Sequence, residues 1–280
     1  MSTKSAATPL IFNRELVKKH RTRAANGFSQ HDFLLREMAN RLCERFEYIK
    51  RDFPTTLDIG ARDGIIAKIL DSSLHGNDNK MGNIKTLIQT DISETFIGTA
   101  SGMRVVADEE FLPFTDNSFD LVLSAGNLHL VNDLTGTLIQ IRRILKPDGL
   151  FLGMVFGGQT LRELRTSFEK AEIEIRGGIS PRISPFLDIK DGGALLQRAG
   201  FALPVVDSEI LNVEYTHPLK LMHDLRGMGE ANAMYDAPKN FTPCSLIMQA
   251  TDHYFRDFSN DAGRINASFE LVTLTGWKAA

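Results

Sequence analysis

Apolar residues recur along this chain in two rhythms, and the change between them organises the molecule. From Phe28 to Ile49, Phe33, Leu34, Met38, Leu42 and Phe46 fall at helical spacing, which predicts a helix before the first strand. Pro54 punctuates, and Thr56 to Ile59 then reads as a short strand ending at Gly60. Ile65, Ile66, Ile69 and Leu70 form the apolar side of the next helix, and residues 71 to 83, rich in Gly, Asn and Asp, read as a surface connection. Further strands are predicted at Ile84 to Gln89, Met103 to Val106 and Phe119 to Ser124, the last apolar enough to be covered on both faces. A helix over Leu134 to Leu145, a turn at KPDG and a fifth strand over Leu150 to Phe156 follow. Strands alternating with helices in this way predict a parallel sheet in an α/β layer fold.

Beyond residue 157 the rhythm changes. Two helical stretches, about 159 to 174 and 187 to 199, flank the turn-rich GGISPRISPF. Val205 to Val213 and Ala267 to Leu274 are late strands, with helices between them beginning near Pro218 and Thr242. That inter-strand segment is too long for an ordinary crossover and predicts a helical cap over the carboxyl edge of the sheet. Three segments result: an N-terminal arm and helix over 1–49, a sheet-forming core over 50–157, and helical insertions with the last strands over 158–280. The first ten residues are expected to be disordered.

Composition narrows the class. With 42% hydrophobic and 24% charged residues over 280 positions, the chain can bury a full core as a soluble globular protein. A net charge of -3 gives no global reason to expect nucleic acid. No run reaches the roughly 18 apolar residues needed to cross a bilayer, and the N-terminal residues make a poor secretory signal. Cys43 and Cys244 lie far apart at no metal spacing, which fits thiols in a reducing compartment. Charge is uneven in one place: residues 14–23, RELVKKHRTR, read either as a solvated helix face or as an arm for an acidic partner or anionic lipid head groups.

Ligands of open α/β sheets bind beyond the carboxyl ends of the strands. Four features fall there: Asp58-Gly60-Gly64 after the first strand, Asp91 after the second, Asp108 after the third, and Ser124 to His129 after the fourth. Glycines there permit positive φ and close backbone approach. An acid after the second strand can accept both hydroxyls of a ribose, Asp108 could take an exocyclic amine of an adenine, and Phe111 could offer it an apolar face. These groups describe a nucleotide-type cofactor pocket.

The residues that carry a resemblance are then LDIGARDG, QTDIS, ADEEFLPFTDNSFDLVLS, LHLVNDL and LKPDGLFLG, in order and at suitable spacing. Over about residues 50 to 156 they resemble the class I S-adenosylmethionine-dependent methyltransferase superfamily. A narrower resemblance spans nearly the whole chain through GGQTLRELR, GGISPRISPF, LLQRAGF and LRGMGEANA. It is to the methyltransferase-fold assembly factor of respiratory complex I found in mitochondria and alphaproteobacteria, with the biotin-synthesis malonyl-carrier-protein methyltransferase as a neighbouring relative.

The superfamily resemblance implies a seven-stranded, mostly parallel, Rossmann-like sheet with a helical cap, and S-adenosylmethionine as cofactor. Its binding set would be Asp58, Gly60, Arg62, Gly64, Asp91, Ile92, Asp108, Glu109 and Ser124, with Glu110 left as solvated loop. Asn127 and His129 would border the opening to substrate, His129 as a general base or as a structural residue. The narrower resemblance implies hydroxylation of an arginine on a peripheral-arm subunit of complex I. It places the chain in the cytoplasm of a bacterium, or in the matrix or on the inner-membrane face of a mitochondrion. Methyl transfer to a small molecule or carrier protein, and a non-catalytic assembly chaperone, are the alternatives.

Arg62 departs from the pattern, because the glycine turn has a glycine there. Its side chain could obstruct the methionine end of the cofactor, swing out to solvent, or pair with the cofactor carboxylate. On the substrate side, Arg176, Arg182, Arg226 and Glu230 lie in turn-rich stretches that could cover the pocket. Glu230 or Asp224 could recognise a peptide guanidinium, and Tyr235 could stack on it. No H-E-x-x-H, no H-x-D with a distal histidine and no cysteine cluster is present, so no metal centre is expected.

Overall fold

The computed structural model describes residues 10–74 and 84–280. The expectations for the first nine residues and for 75–83 lie outside the described residues. Helix α1 (Arg14–Ala24) comes first, and its cap Asn13 accepts the Leu16 amide. A 3-10 turn over Ala25–Gln30 follows and takes the first residues of the helix expected from Phe28, which begins as α2 (Phe33–Glu47). The break falls where Asn26 and Gly27, both weak helix formers, follow each other.

Then come β1 (Thr55–Ile59), α3 (Ile65–Leu74), β2 (Thr86–Asp91), α4 (Glu94–Thr99), β3 (Met103–Val106), β4 (Phe119–Ala125), α5 (Leu134–Ile144) and β5 (Leu145–Phe156). Three details differ from the sequence reading. Residues 71–74 continue α3 instead of joining the connection. The unexpected α4 is a short helix capped by Ser93, whose Oγ accepts the Phe96 amide. KPDG does not end an element: it lies inside β5, where the pairing with β4 shifts register between Phe119 and Leu121 and Asp148 takes a φ of 58°.

The second half supplies α6 (Arg162–Arg176), α7 (Ile189–Arg198), β6 (Ala202–Tyr215), α8 (Pro218–Gly227), α9 (Cys244–Phe258) and β7 (Ile265–Trp277). The seven strands form one sheet in the order β3-β2-β1-β4-β5-β7-β6. The first five are parallel, and β7 runs antiparallel between β5 and β6. The expected mostly parallel, Rossmann-like sheet with helical insertions is the fold observed.

Strand alternation distributes the core to both faces. Leu121, Leu123, Leu150, Leu152 and Met154 pack with α2 and α3 on one side. Val122, Phe151 and Val155 pack with Leu138, Ile141 and Leu196 of α5 and α7 on the other. The long edge strand β6 alternates half-buried and exposed positions, whereas the inner β7 is buried for most of its length. At about 25 cal/mol per Å2, such two-sided burial gives the central strands a firm position, and their carboxyl ends inherit it.

Chain order reverses between β1 and β4, so a crevice opens beyond their carboxyl ends. Two segments close over it. The residues before α1 pair with the stretch after α8: the Asn13 amide donates to the Ala233 carbonyl and the Tyr235 amide to the Ile11 carbonyl. Phe12 and Val17 pack with Leu130, Ala233 and Met234, and Asn132 Oδ1 accepts the amides of Ile11 and Phe12. The start of α1 is thereby fixed above the loop that follows β4.

Candidate cofactor and substrate site

The turn after β1 follows the sequence expectation in its backbone. Gly60 and Gly64 take φ values of 74° and 80°, and the amides of Gly60 and Ala61 both donate to the Thr90 carbonyl of β2. Arg62, at a φ of 52°, occupies the left-handed region without being glycine. Its amide donates to Asp91 Oδ2 at 3.3 Å.

The Arg62 side chain does not reach solvent; it is 1% exposed. Its Nη2 donates to the Gly126 carbonyl at 2.9 Å and to Glu230 Oε1 at 2.6 Å. The outward-swinging alternative is therefore overturned: the guanidinium crosses the crevice and ties the β1 turn to the end of β4 and to the cap.

Glu230 is delivered by the end of α8. The amides of Met228, Gly229 and Glu230 bond back to the carbonyls of Asp224, Arg226 and Leu225, and Gly229 at a φ of 84° reverses the chain. A residue with a Cβ is disfavoured in that region, so glycine is what turns the carboxylate inward. Its other oxygen, Oε2, lies 2.9 Å from His129 Nε2. Burial alone would raise the Glu230 carboxyl, but the His129 ring, Arg62 and Arg21 hold it down at about 2.

The acids expected to hold a ribose and an adenine are present and already engaged. Arg21 of α1 is wholly buried, and its Nη1 lies 3.1 Å from both Asp91 Oδ2 and Glu109 Oε1. Its Nη2 donates to Asn127 Oδ1, while Asn127 Nδ2 donates to Glu109 Oε1 at 2.8 Å. Arg14, two turns earlier on the same side of α1, donates to Asp108 Oδ1 at 2.7 Å, to Glu109, and to the Leu130 carbonyl at 2.9 Å. Burial works against ionisation of Glu109, yet Arg14 and Arg21 hold it below the usual carboxylate range.

The remaining positions of the site separate by what they touch. Ile92 is buried beside Asp91. The Ser124 hydroxyl donates to the Ile59 carbonyl and joins β4 to β1. Phe111, expected against a ring, is 75% exposed, and Glu110 is not free loop, since it accepts the Asn132 amide. Asn127, expected at the substrate opening, is enclosed by Arg21 and Glu109. His129 also lies inside, packed against Phe156 and Phe186 with ring centroids 4.8 and 5.9 Å away. Its Nδ1 is buried without a hydrogen-bond partner among the described residues.

Asp58 differs from the other acids. It is 1% exposed, and among the described residues neither carboxylate oxygen has a hydrogen-bond partner. Burial first, and Asp91 second, push its carboxyl up to about 8, against the opposing Arg62. A buried acceptor of this kind fits a bound ammonium. Yet the space beside it, between Asp58, Gly60, Arg62 and Ala125, is about 10 Å3, hardly one water. With Arg62 seated, the space beside Asp58 is too small for the methionine end of S-adenosylmethionine.

A larger cavity of about 420 Å3 lies on the cap side. Leu161, Leu164, Phe168, Phe186, Met222 and Leu225 give it apolar walls, and Arg182, Arg226 and Glu230 provide charge. Three of the expected substrate-side residues thus come together. Arg176 does not join them: it ends α6, exposed, 3.8 Å from Glu172. Tyr235 is also half-exposed, beside the start of α1. Asp224 turns away to His31.

Arg14 and Arg21 are the residues the sequence reading missed. The run 14–23 reads as a solvated or docking arm, but two of its cations point inward, leaving Lys18, Lys19 and Arg23 exposed. A signal exists in the spacing: Val17, Arg21, Ala24 and Phe28 lie three or four apart, which places Arg21 within an apolar stripe.

Sheet order, the glycine turn and strand-end acids define the fold of the class I S-adenosylmethionine-dependent methyltransferases. Residues 57–153 match the family model of a methyltransferase domain. The chain is 42% identical over 275 residues to the Mus musculus protein named arginine-hydroxylase NDUFAF5, mitochondrial, covering 96% of this chain and 77% of that one. It is 31% identical to the malonyl-[acyl-carrier protein] O-methyltransferase of Nitrosospira multiformis, covering 96% of this chain and 91% of that one. Among solved structures, the YcgJ protein of Bacillus subtilis superposes with a TM-score of 0.59 at 18% identity, covering 86% of this chain and 99% of that one, and supports the fold alone. The chain belongs to the arginine-hydroxylase NDUFAF5 family, within the class I methyltransferase superfamily of enzymes.

Proposed function

We propose that this protein hydroxylates an arginine side chain of a partner protein, a peripheral-arm subunit of respiratory complex I. The observation that carries the reading is the 42% identity to an arginine-hydroxylase over 96% of the chain. The 420 Å3 cavity supports it. Glu230 Oε1 and Oε2 each engage one partner, Arg62 and His129. A carboxylate oxygen has two lone pairs, so each can accept a further N–H from a substrate guanidinium entering between the apolar walls. Phe186 supplies an aromatic face there. Hydroxylation replaces C–H by C–OH; with dioxygen and a two-electron donor, the second oxygen atom leaves as water. The reading places the chain in the cytoplasm of a bacterium or on the matrix side of a mitochondrion.

Cofactor use is the altered part of the site. S-adenosylmethionine must displace Arg21 from Asp91 and Glu109, and the Arg62 guanidinium from the methionine end, before it can sit where the fold would hold it. Two other readings draw on particular observations. Methyl transfer to a carrier-bound acid is favoured by the 31% identity to the malonyl-carrier methyltransferase. A non-catalytic assembly role is favoured by the arginine-filled crevice.

Mass spectrometry of an arginine peptide from the partner subunit, incubated with the protein under air and a reductant, separates these. Gain of one oxygen on arginine supports hydroxylation. Gain of one methylene on any acceptor supports methyl transfer. An unchanged peptide, with the partner subunit still bound, supports the assembly role and sinks the enzymatic reading.

A further inference from the structure

Away from the crevice, α8 brings together side chains that are far apart in sequence. His31, at the end of the 3-10 turn, meets His223 and Asp224 of α8, with one ligand atom from each lying within 4.8 Å of the others. His31 Nδ1 is 2.7 Å from Asp224 Oδ1, and the two imidazole rings meet edge to face with centroids 4.9 Å apart. Met222, Leu225 and Arg226 of the same helix line the cavity, so the cluster occupies a different face of α8.

The seat of His31 is built into the helix. A Cβ at Gly227 would lie 2.2 Å from His31 Cδ2, so only glycine one turn after His223 admits the ring. Glycine is a weak helix former, and here its missing side chain leaves room for an imidazole beside a carboxylate. Two imidazoles and one carboxylate form the donor set that binds Fe(II), Mn(II), Co(II) or Zn(II). At metal–ligand bonds of about 2.1 Å, neighbouring ligands of an octahedral ion stand about 3 Å apart, close to the His31–Asp224 spacing. His223 is exposed, so rotation of its side chain can bring its ring to the same ion.

We propose that His31, His223 and Asp224 form a binding site for one divalent transition-metal ion. Three protein ligands leave coordination positions open towards solvent, unlike a closed structural zinc site. The site stands apart from the arginine reading, since metal binding is measured without turnover.

The test is calorimetric titration of untagged full-length protein with Co(II) and Zn(II), and with Fe(II) under anaerobic conditions. Co(II) absorption reports nitrogen and oxygen ligation. Wild type should bind one equivalent, with a rise in Tm. His223→Ala, at an exposed position, should weaken binding about tenfold or more, and Asp224→Asn should do likewise. Cys244→Ser, which removes an exposed thiol, should leave the affinity unchanged. Absence of saturable one-to-one binding in wild type overturns the proposal. So does unchanged affinity in a folded His223→Ala protein, or loss of binding with Cys244→Ser.

Discussion

At the residue scale, two buried carboxylates titrate in opposite directions because their neighbours differ. Glu230 is held at about 2 despite burial, by His129, Arg62 and Arg21. A depressed carboxylate contributes stability above its unfolded value of 4.5, and the contribution is lost as pH falls towards about 2. Glu230→Gln should therefore lower stability at neutral pH, with the gap to wild type closing as acid approaches that lower value. Urea unfolding across the range measures it, and a gap independent of pH would contradict the assignment. Asp58 has the reverse sign. Its folded value of about 8 lies above the unfolded 3.8, so the folded state retains a proton there and loses stability as pH rises between the two. Asp58→Asn should raise Tm most at mildly alkaline pH and least in acid. Equal shifts at both would show that the folded-state value of Asp58 is not raised above the unfolded one.

At the scale of elements, α1 is the part whose role changed most. Its backbone is an ordinary capped helix, but Arg14 and Arg21 make it a cover fastened to the acids of β2 and the loop after β3. Removing one member of a buried ion pair costs about 3–5 kcal/mol, so the cover lifts only for a ligand that satisfies those acids in its place. S-adenosylmethionine at saturating concentration should speed amide hydrogen exchange across residues 14–24 while slowing it in the turn after β1. Slower exchange in both would mean that α1 closes onto the cofactor and does not leave it. The strands and the acids at their ends were legible because they follow from local period and turn chemistry. The destination of Arg21 was not legible, since an arginine's partners lie 70 to 106 positions away. A separation of 193 positions hid the contact of His31 with Asp224 in the same way.

For the whole molecule, the fold supplies the acids and turns of a methyltransferase, while three of its own arginines occupy the space between them. Arg62 stands where a glycine would leave room, yet it carries a structural load by joining the β1 turn, β4 and the cap through Glu230. Family membership and fold followed from motifs in order, whereas the closed crevice emerged only once α1 was placed over the sheet. The central claim is that Arg21 competes with the cofactor for Asp91 and Glu109. Calorimetric titration of S-adenosylmethionine into wild type and Arg21→Gln tests it most directly. The glutamine retains a polar donor but removes the charge. The variant should bind about tenfold or more tightly than wild type, since each tenfold corresponds to about 1.4 kcal/mol. Equal or weaker binding by a folded Arg21→Gln protein would contradict the claim and make Arg21 a support for the cofactor.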